Sequence, residues 1–289
     1  LFRPTLGSYN WERKYLATPT ASHRSLVVWD PETGQAPLGV KVSLNASIGK
    51  IVRVVTKNHV QHAVMISNLL KGQAAALEER GIRFLEEPAG VVLKESGLGY
   101  LLRDYSALVP GGPEIVPMFS LYARPVRGPP LVVEMARRSG KPAKEFVAEH
   151  FIEPLVHQYA YMLFGQGLSL EPHEQNVLLE MASGLPTKRF WYRDLGGIWT
   201  DDRFARAAGR ELDISSSPLE NGVKFRDPLQ PALSYLRDSN FYALRYAMEP
   251  YFPEITKPWI ERVFQAALAE AVKQWTGIEA ATLPAMRSA

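Results

Sequence analysis

Five polar side chains that are able to act on a nucleotide and its metal ion lie close together in the chain. They are Glu171, His173, Gln175, Asn176 and Asp194. The amide oxygen of Asn176 and the carboxylate of Asp194 are hard donors, which Mg²⁺ accepts together with phosphate oxygens. Phosphotransferases use a loop Asn and a later Asp before Gly in this way, and Glu171 lies where their catalytic loop would carry its Asp base. The set therefore indicates chemistry on a nucleotide–metal complex.

The same residues also allow a purely structural interpretation. Glu171 and His173 are able to cap a buried turn, and Asn176 and Asp194 are both common turn formers. For any one residue the structural interpretation is the stronger, whereas the whole set in one short segment favours a functional site.

A second group of candidate residues comes earlier in the chain and is cationic. Residues 39–48 alternate between apolar and polar positions, which predicts a strand with Lys41 on its polar face. If this strand continues without a bulge, the same period places Arg53 on that face. With Ser22 and Arg24 on a neighbouring strand, these side chains would form a cationic, hydroxyl-bearing surface suited to a triphosphate. A solvated sheet face with scattered charge is the alternative.

The remaining pattern predicts the elements that position both groups. Period-two or compact apolar runs predict strands at residues 26–29, 39–48, 84–93, 99–102 and 190–192. Apolar residues at helical spacing predict helices at 59–70 with Asn58 as the cap, and at 144–164, 229–248 and 259–275. The helix at 144–164 would lead directly into the segment that carries Glu171. His59 and His62 have no third ligand nearby, so they predict a partly exposed helix face rather than a metal site.

Two segments rich in proline and glycine, residues 109–113 and 124–130, mark a predicted boundary between two regions. The expected fold class is α+β. Residues 1–128 would form an antiparallel-sheet region, and residues 129–289 a mainly helical region packed against it, with a nucleotide cleft between them. Residues 201–222 are polar and irregular and predict a loop.

Composition excludes several classes of protein. The 289 residues are 46% hydrophobic, carry a net charge of +3 and include no cysteine. No apolar run approaches the ~20 residues of a membrane span, and dispersed basic residues do not predict nucleic-acid binding. Without cysteine, these residues form no disulfide and no cysteine-ligated zinc or iron–sulfur site. No signal peptide is visible, so we expect a cytoplasmic protein without membrane or nucleic-acid partners.

Four short segments resemble, in order and approximate spacing, those of the IucA/IucC family. They are residues 19–26 (PTASHRSL), residues 41–45 (KVSLN) with Arg53, residues 167–176 (GLSLEPHEQN), and Arg193 with Asp194. The third segment is similar to the family's central signature, Gly-x-x-Leu-Glu-x-His-x-Gln-Asn. The family comprises siderophore synthetases that are independent of nonribosomal peptide synthetases.

The resemblance implies a ligase that depends on ATP and Mg²⁺. Such enzymes activate a carboxylate, commonly one arm of citrate, as an acyl-adenylate and pass the acyl group to an amine or hydroxyl. By position, the phosphates would be contacted by Ser22, Arg24, Lys41 and Arg53, and Mg²⁺ would be held by Glu171, Asn176 and Asp194. The nucleotide pocket would be lined by His173 and Gln175, a carboxylate would be clamped by Arg193, and the catalytic residues would be His173, Lys41 and Arg53. The partners implied are small-molecule substrates, and a homodimer is allowed.

Two features depart from the family's pattern. Gly49-Lys50-Ile51 stands where the family has a Thr-Ser-type segment before Arg53, and the family's N-terminal region with its His-Pro motif has no counterpart before Leu1. The chain is therefore expected to be either a fragment or a short member of the family.

Two other classes of function remain open. Glu171, Asn176 and Asp194 also resemble the loops of kinase-like small-molecule phosphotransferases, although Glu replaces Asp and no Gly-rich loop precedes them. The other class is a nucleotide- or siderophore-binding homologue that has lost turnover. The related ferric-siderophore reductases need a cysteine cluster for an iron–sulfur centre, and the lack of cysteine argues against that function.

Overall fold

In the computed structural model, the described residues are 15–20, 22, 24–32, 37–44, 46–48, 51–95, 97–108, 111–209 and 229–277. The chain divides into two compact units. The first comprises Leu1–Val60 and Glu87–Gly112, and the second comprises Gln61–Glu86 and Pro113–Ala289. Antiparallel sheet and helices are both present, which confirms the predicted α+β class.

The described elements are numbered in chain order. The strands are β1 (Leu16–Pro19), β2 (Ser25–Trp29), β3 (Leu38–Val42), β4 (Ser47–Ile48), β5 (Ile51–Val52), β6 (Ile82–Phe84), β7 (Ala89–Val92), β8 (Gly99–Asp104), β9 (Glu114–Pro117), β10 (Leu168–Ser169), β11 (Val177–Ala182), β12 (Leu185–Tyr192) and β13 (Trp199–Thr200). The α-helices are α1 (Lys57–Lys71), α2 (Ala74–Glu78), α3 (Met118–Tyr122), α4 (Leu131–Ser139), α5 (Ala143–Val147), α6 (Glu153–Ala160), α7 (Asp202–Ala207), α8 (Tyr242–Met248) and α9 (Lys257–Thr276). The π-helical segments are Ala148–Ile152, Tyr161–Gly165 and Ala232–Phe241.

The first unit is built on an antiparallel sheet with the strand order β1-β2-β3-β8-β7. Strand β3 alternates as predicted, but its polar face is the buried one. Lys41 is only 6% exposed, whereas Val40 and Val42 are half-buried and line an open apolar pocket of about 410 Å³. Gly39 shares the buried face, where an added Cβ would lie 2.9 Å from the Tyr105 ring. The alternative of a solvated sheet face is therefore wrong for β3 at Lys41.

The predicted strand over residues 39–48 is also wrong in length, because β3 and β4 are separate strands. The Ser43 side chain accounts for the break. Its hydroxyl donates to the Gly99 carbonyl oxygen at 2.8 Å and accepts from the Val55 amide at 2.9 Å. A hydroxyl that bonds to backbone groups competes with strand pairing. β4 then pairs with β5. One continuous strand that carries both Lys41 and Arg53 on the same face, as predicted from the sequence, therefore does not form.

The second unit contains a sheet with the order β6-β12-β11-β9. β11 is antiparallel to both β12 and β9, while β6 runs parallel to β12. Of the two strands of this sheet that lie after residue 129, the sequence predicted the end of β12 (residues 190–192) but not β11. Because β6 and β9 pair with later strands, residues 61–86 and 113–128 belong to the second compact unit, which differs from the single boundary predicted at residue 128.

A helical run over residues 143–165 passes through the core of the second unit, as predicted for residues 144–164. It consists of α5, a π-helical segment, α6 and a second π-helical segment. Phe146, Phe151 and Tyr159 on this run are fully buried. Helix α9 packs against α6, and its apolar stripe is buried, which confirms the prediction that this stripe is core.

Helix α1 begins earlier than predicted and has a different cap. The Thr56 hydroxyl accepts a hydrogen bond of 3.2 Å from the His59 amide, which is the bonding of an N-cap residue. Asn58 lies inside the helix instead. His62, one turn further on, is 1% exposed, so the prediction of an exposed histidine face is wrong for this residue.

The segment at residues 201–222 begins with the short helix α7 rather than with a loop, because Asp201 caps it by accepting from the Arg203 amide. The rest of that predicted loop, residues 210–222, lies outside the described residues. Among the residues that are described, no helix is both long enough and apolar enough to cross a bilayer.

Candidate functional site

Two segments with predicted site residues meet at one end of the β11–β12 pair. The motif loop, residues 170–176, leads into β11, and the Asp194 turn, residues 193–198, follows β12. The two strands are paired up to these ends, and the Arg193 amide donates a hydrogen bond of 3.1 Å to the Asn176 carbonyl oxygen. Antiparallel pairing therefore brings Asn176 next to Arg193 and Asp194.

Asn176 presents a buried acceptor at this junction. The residue is 3% exposed. Its backbone amide donates to the His173 carbonyl oxygen at 2.9 Å, and its side-chain Nδ2 donates to the Glu171 carbonyl oxygen at 3.4 Å. Its Oδ1 is buried and accepts no hydrogen bond from the described residues. Buried polar atoms are nearly always paired in proteins, so this oxygen is suited to a bound cation or to a donor on a ligand.

Asp194 has a backbone conformation that is uncommon for residues other than glycine. Its φ is 69° and its ψ is 53°, in the left-handed region. Asp tolerates this region better than most residues, yet the conformation still has to be held by its surroundings. The Gly197 amide donates to the Asp194 carbonyl oxygen at 2.9 Å, and Leu195 is completely buried. Strained residues of this kind cluster at functional sites.

Glu171 connects the motif loop to the Asp194 turn. Its Oε2 lies so close to Gly197 that a Cβ added there would be 2.5 Å from it. Its Oε1 accepts a hydrogen bond of 3.3 Å from the Tyr235 hydroxyl. Burial, together with the negative charge of Glu171, raises the pKa of Tyr235 to about 12. Tyr235 therefore stays protonated at neutral pH and keeps donating to Glu171.

His173 is half-buried in the motif loop, and its ring is held in one tautomer. Nδ1 accepts a hydrogen bond of 3.3 Å from the Gln175 amide, so the ring proton lies on Nε2. Burial lowers the pKa of His173, and the nearby Glu174 and Asp194 carboxylates only partly oppose this. At neutral pH the ring is therefore neutral and offers one N–H donor.

The π-helical segment Ala232–Phe241 supports the motif loop through a fully buried side chain. Asn240 Nδ2 donates to the Pro172 carbonyl oxygen at 2.8 Å and to the Tyr235 carbonyl oxygen at 2.6 Å. Its Oδ1 accepts from the Tyr122 hydroxyl at 3.3 Å. π-helical segments often occur at functional sites, and here the segment supplies both Tyr235 and Asn240.

Tyr235, Asn240 and Tyr122 were not among the site residues predicted from the sequence. A signal was present for one of them, because Asn240 stands midway between the buried residues Leu236 and Leu244 on a helical stripe. A buried Asn in such a position needs several hydrogen bonds. No pattern in the sequence identified its partners, since they lie on elements far away in the chain.

The predicted phosphate-binding residues belong to the first unit. Ser22 and Arg24 lie in the segment just before β2. The Ser22 hydroxyl accepts a hydrogen bond of 3.3 Å from the hydroxyl of Ser25, the first residue of β2. Ser25 and Lys41 are cross-strand partners. The Lys41 ammonium lies 3.5 Å from Nε2 of His59. The structure thus brings Ser22, Arg24 and Lys41 to one end of the β2–β3 pair.

Arg53 reaches the same part of the first unit by another route. It follows β5, and its amide donates to the Ala46 carbonyl oxygen at 3.2 Å while its carbonyl accepts from Leu44 at 2.9 Å. Arg53 is half-buried. It therefore lies against the segment that follows β3. Gly49 and Lys50, where the sequence departs from the family's pattern, are outside the described residues.

The predicted metal ligands Glu171, Asn176 and Asp194 comprise two carboxylates and one amide. Within the described part of the chain, no group of three or more His, Cys, Asp and Glu side chains is arranged to hold a metal ion. This donor set is unsuited to a closed all-protein site. It does fit Mg²⁺, which takes one or two protein oxygens and completes its shell with water and phosphate.

Comparison with known families matches two segments of the chain. Residues 9–123 match the model of the IucA / IucC family. Residues 147–252 match the model described as Ferric iron reductase FhuF-like transporter. The chain matched no curated protein sequence.

Comparison with solved structures finds the same fold in three proteins of siderophore biosynthesis. The petrobactin biosynthesis protein AsbB of Bacillus anthracis is 21% identical, with a TM-score of 0.69. The match covers 89% of this chain and 45% of the AsbB chain. The ATP-bound aerobactin synthetase IucA of Klebsiella pneumoniae is 22% identical with a TM-score of 0.70, covering 90% and 48%. The aerobactin synthetase IucC of Klebsiella pneumoniae is 19% identical with a TM-score of 0.52, covering 88% and 45%.

The chain spans less than half the length of these solved structures. Its described residues have the fold of the siderophore synthetases. Together with the family match over residues 9–123, this confirms the resemblance to the IucA/IucC family.

Proposed function

We propose that the chain acts as an ATP-dependent ligase of the siderophore synthetase kind. It would activate a carboxylate, citrate or a related acid, as an acyl-adenylate and join it to an amine or hydroxyl. The proposal is supported by the family match and by the likeness to an aerobactin synthetase whose structure is described as ATP-bound. Mg²⁺ and ATP are the expected cofactors.

One observation carries the proposal. The Asn176 Oδ1 atom is buried without a partner among the described residues, and strand pairing holds the Asn176 backbone next to Arg193, the residue before the strained Asp194. An arrangement that leaves an acceptor unsatisfied costs stability unless something binds to it. A Mg²⁺–nucleotide complex takes one or two protein oxygens, and we assign the Asn176 amide oxygen and the Asp194 carboxylate to this role.

The first half-reaction joins the carboxylate to the nucleotide. A carboxylate oxygen attacks the α-phosphorus, the bond to the bridging oxygen breaks, and pyrophosphate leaves with that electron pair. We assign the phosphates to Ser22, Arg24, Lys41 and Arg53, because cations and donors fixed in advance stabilise the charge that develops in the transition state. Bound Mg²⁺ would reduce the negative charge of the triphosphate and would be held by Glu171, Asn176 and Asp194.

The second half-reaction transfers the acyl group. The amine or hydroxyl attacks the acyl carbon, the carbon–oxygen bond to the phosphate breaks, and AMP leaves while the acceptor loses a proton. We assign His173 and Gln175 to the nucleotide pocket and Arg193 to a substrate carboxylate. The neutral His173 ring has its proton on Nε2 and is therefore a hydrogen-bond donor to an anionic oxygen rather than a proton donor.

A second candidate function is suggested by the ferric iron named in the FhuF-like model that residues 147–252 match, which is consistent with an iron-siderophore ligand. In this alternative the chain binds a nucleotide or a siderophore without turnover. Reduction of iron through an iron–sulfur centre is not part of this alternative, since the 289 residues contain no cysteine ligand.

The test is a trapping experiment. Protein, ATP, Mg²⁺, citrate and hydroxylamine are incubated together, and hydroxamate, AMP, pyrophosphate and ADP are measured. Hydroxylamine captures an activated acyl group whatever the natural acceptor is. Hydroxamate with equal AMP supports the proposal, and the same assay with 2-oxoglutarate extends it to a second acid. ADP in place of AMP would indicate phosphotransfer, and nucleotide binding without any product would favour the binding function.

A further inference from the structure

His62 makes a contact that sequence analysis did not anticipate. It lies in the second unit on α1 and is 1% exposed. Its Nε2 lies 2.6 Å from the carbonyl oxygen of Ile198. A carbonyl only accepts, so Nε2 carries the proton and Nδ1 carries a lone pair. Burial lowers the pKa of His62, which agrees with a neutral ring.

Ile198 is the last residue of the Asp194 turn. Within the turn, the Gly197 amide donates to the Asp194 carbonyl oxygen and the Ile198 amide donates to the Leu195 carbonyl oxygen, at 2.9 and 3.1 Å. These bonds close the turn on itself but do not tie it to another element. The His62 ring supplies such a tie, because it comes from a helix that is distant in the chain.

Burial of the His62 ring also destabilises the folded chain through one of its nitrogen atoms. Its Nδ1 is buried and has no partner among the described residues. An unpaired buried acceptor destabilises a protein, and an apolar side chain of similar size would avoid the penalty. The donor on Nε2 is the feature that an apolar side chain would lose. The contact with Ile198 therefore gives a physical reason for a histidine at this position.

We propose that His62 is a positioning residue, which holds the Asp194 turn in place where it follows the Arg193–Asn176 backbone hydrogen bond. The role in metal binding rests on the proposed function, whereas the role in holding the turn does not. His62 itself touches neither the metal nor the nucleotide. Its effect reaches the site through Ile198 and the backbone of the turn.

The first measurement needs no activity. Hydrogen exchange of the Gly197 and Ile198 amides is compared between the 289-residue chain and its His62→Ala, His62→Gln and Ile66→Val variants. Ile66 is a fully buried neighbour on the same helix, so Ile66→Val controls for loss of core packing. We expect exchange to be about tenfold faster in His62→Ala. His62→Gln should be close to the unmodified chain, because its amide N–H is able to replace Nε2. Equal exchange in His62→Ala and Ile66→Val would overturn the proposal.

The second measurement links the turn to the metal. The Mg²⁺ concentration that gives half-maximal ATP binding should rise about tenfold in His62→Ala and stay unchanged in Ile66→Val, as is usual when a supporting group behind a metal ligand is removed. Faster exchange with an unchanged Mg²⁺ requirement would overturn the link to Asp194. If the unmodified chain bound no ATP, the proposed function would fail, while hydrogen exchange would still decide whether His62 holds the turn.

Discussion

The backbone amide of Arg193 donates a hydrogen bond to the carbonyl oxygen of Asn176. This bond is the last rung of the β11–β12 pair, and it joins the ends of two segments that are separated by a complete hairpin. The centre of the candidate site lies at this junction: the Asn176 amide oxygen, which has no partner among the described residues, and the carboxylate of the strained Asp194. The site is thus a product of strand register rather than of a single loop.

Removing either the Asn176 amide oxygen or the Asp194 carboxylate should abolish turnover without unfolding the chain. Asn176→Ala and Asp194→Asn are expected to lower Mg²⁺-dependent ATP turnover by about 100-fold or more. Asn is chosen at position 194 because it tolerates a positive φ. Asp238→Asn, which changes an exposed carboxylate paired with Arg237, is the control. Turnover retained in both site variants would contradict the site assignment.

Gly197 should be intolerant of a methyl group. A Cβ at this position would lie 2.5 Å from Oε2 of Glu171, so Gly197→Ala must displace that carboxylate. We expect a higher Mg²⁺ requirement and a loss of turnover. Gly72→Ala is the matched control, since its Cβ would meet no atom closer than 3.6 Å. If the two alanine variants bind Mg²⁺–ATP equally well, Glu171 has no role at the metal.

Asn240 should be the most sensitive polar position behind the motif loop. Asn240→Ala leaves the buried carbonyl groups of Pro172 and Tyr235 without this donor, which is expected to cost about 1–3 kcal/mol of unfolding free energy. Tyr122→Phe removes only the bond to Asn240 Oδ1 and should cost about 1 kcal/mol. Urea unfolding measures both variants, and equal losses would contradict the central position of Asn240.

The first unit contains a buried ion pair whose loss should be severe. Arg103 Nε donates to Glu87 Oε1 at 3.1 Å, and the two side chains are 5% and 0% exposed. Arg103→Met leaves a buried carboxylate without its guanidinium and should cost about 3–5 kcal/mol. The double variant with Glu87→Gln should recover part of the loss, because the buried charge is then removed. A double variant no more stable than Arg103→Met would show that the charge is not the cause.

Stability should fall as the pH is lowered through the range in which histidine titrates. Burial is the largest cause that lowers the pKa of His62, His150 and His173 below the ordinary value of 6.5. Below that value the unfolded chain takes up protons before the folded chain does, so the unfolded state is favoured as pH falls. Urea unfolding at pH 7.5 and 5.5 should show this loss, and His62→Gln should reduce it. An identical pH dependence in the variant would contradict a neutral buried His62.

The part of the site that follows from local sequence could be predicted. The signature at residues 167–176 and the short apolar strand before Arg193 predicted that Asn176 and the Arg193–Asp194 segment come together, and the Arg193–Asn176 backbone bond joins them. Strand pairing explains why, since residues that flank two antiparallel neighbours meet at one end. The long apolar stripe at residues 144–164 likewise predicted the central helical run.

Features that depend on distant partners could not be predicted. Ser43 ends β3 because its hydroxyl bonds to Gly99 and Val55, and alternation alone does not reveal such contacts. The parallel pairing of β6 with β12 joins segments that are far apart in the chain, so the second sheet was missed. Buried Lys41 shows the same limit, because period two identifies the faces of a strand but not which one is covered.

The most direct test of the proposed function is exchange of labelled pyrophosphate into ATP. Adenylation of a carboxylate is reversible, so label should enter ATP when citrate or 2-oxoglutarate is present and should not when the acid is omitted. Asn176→Ala should lose the exchange. The proposal predicts acid-dependent exchange together with AMP formation. Absence of exchange with either acid, in a chain that transfers the γ-phosphate and releases ADP, would contradict it.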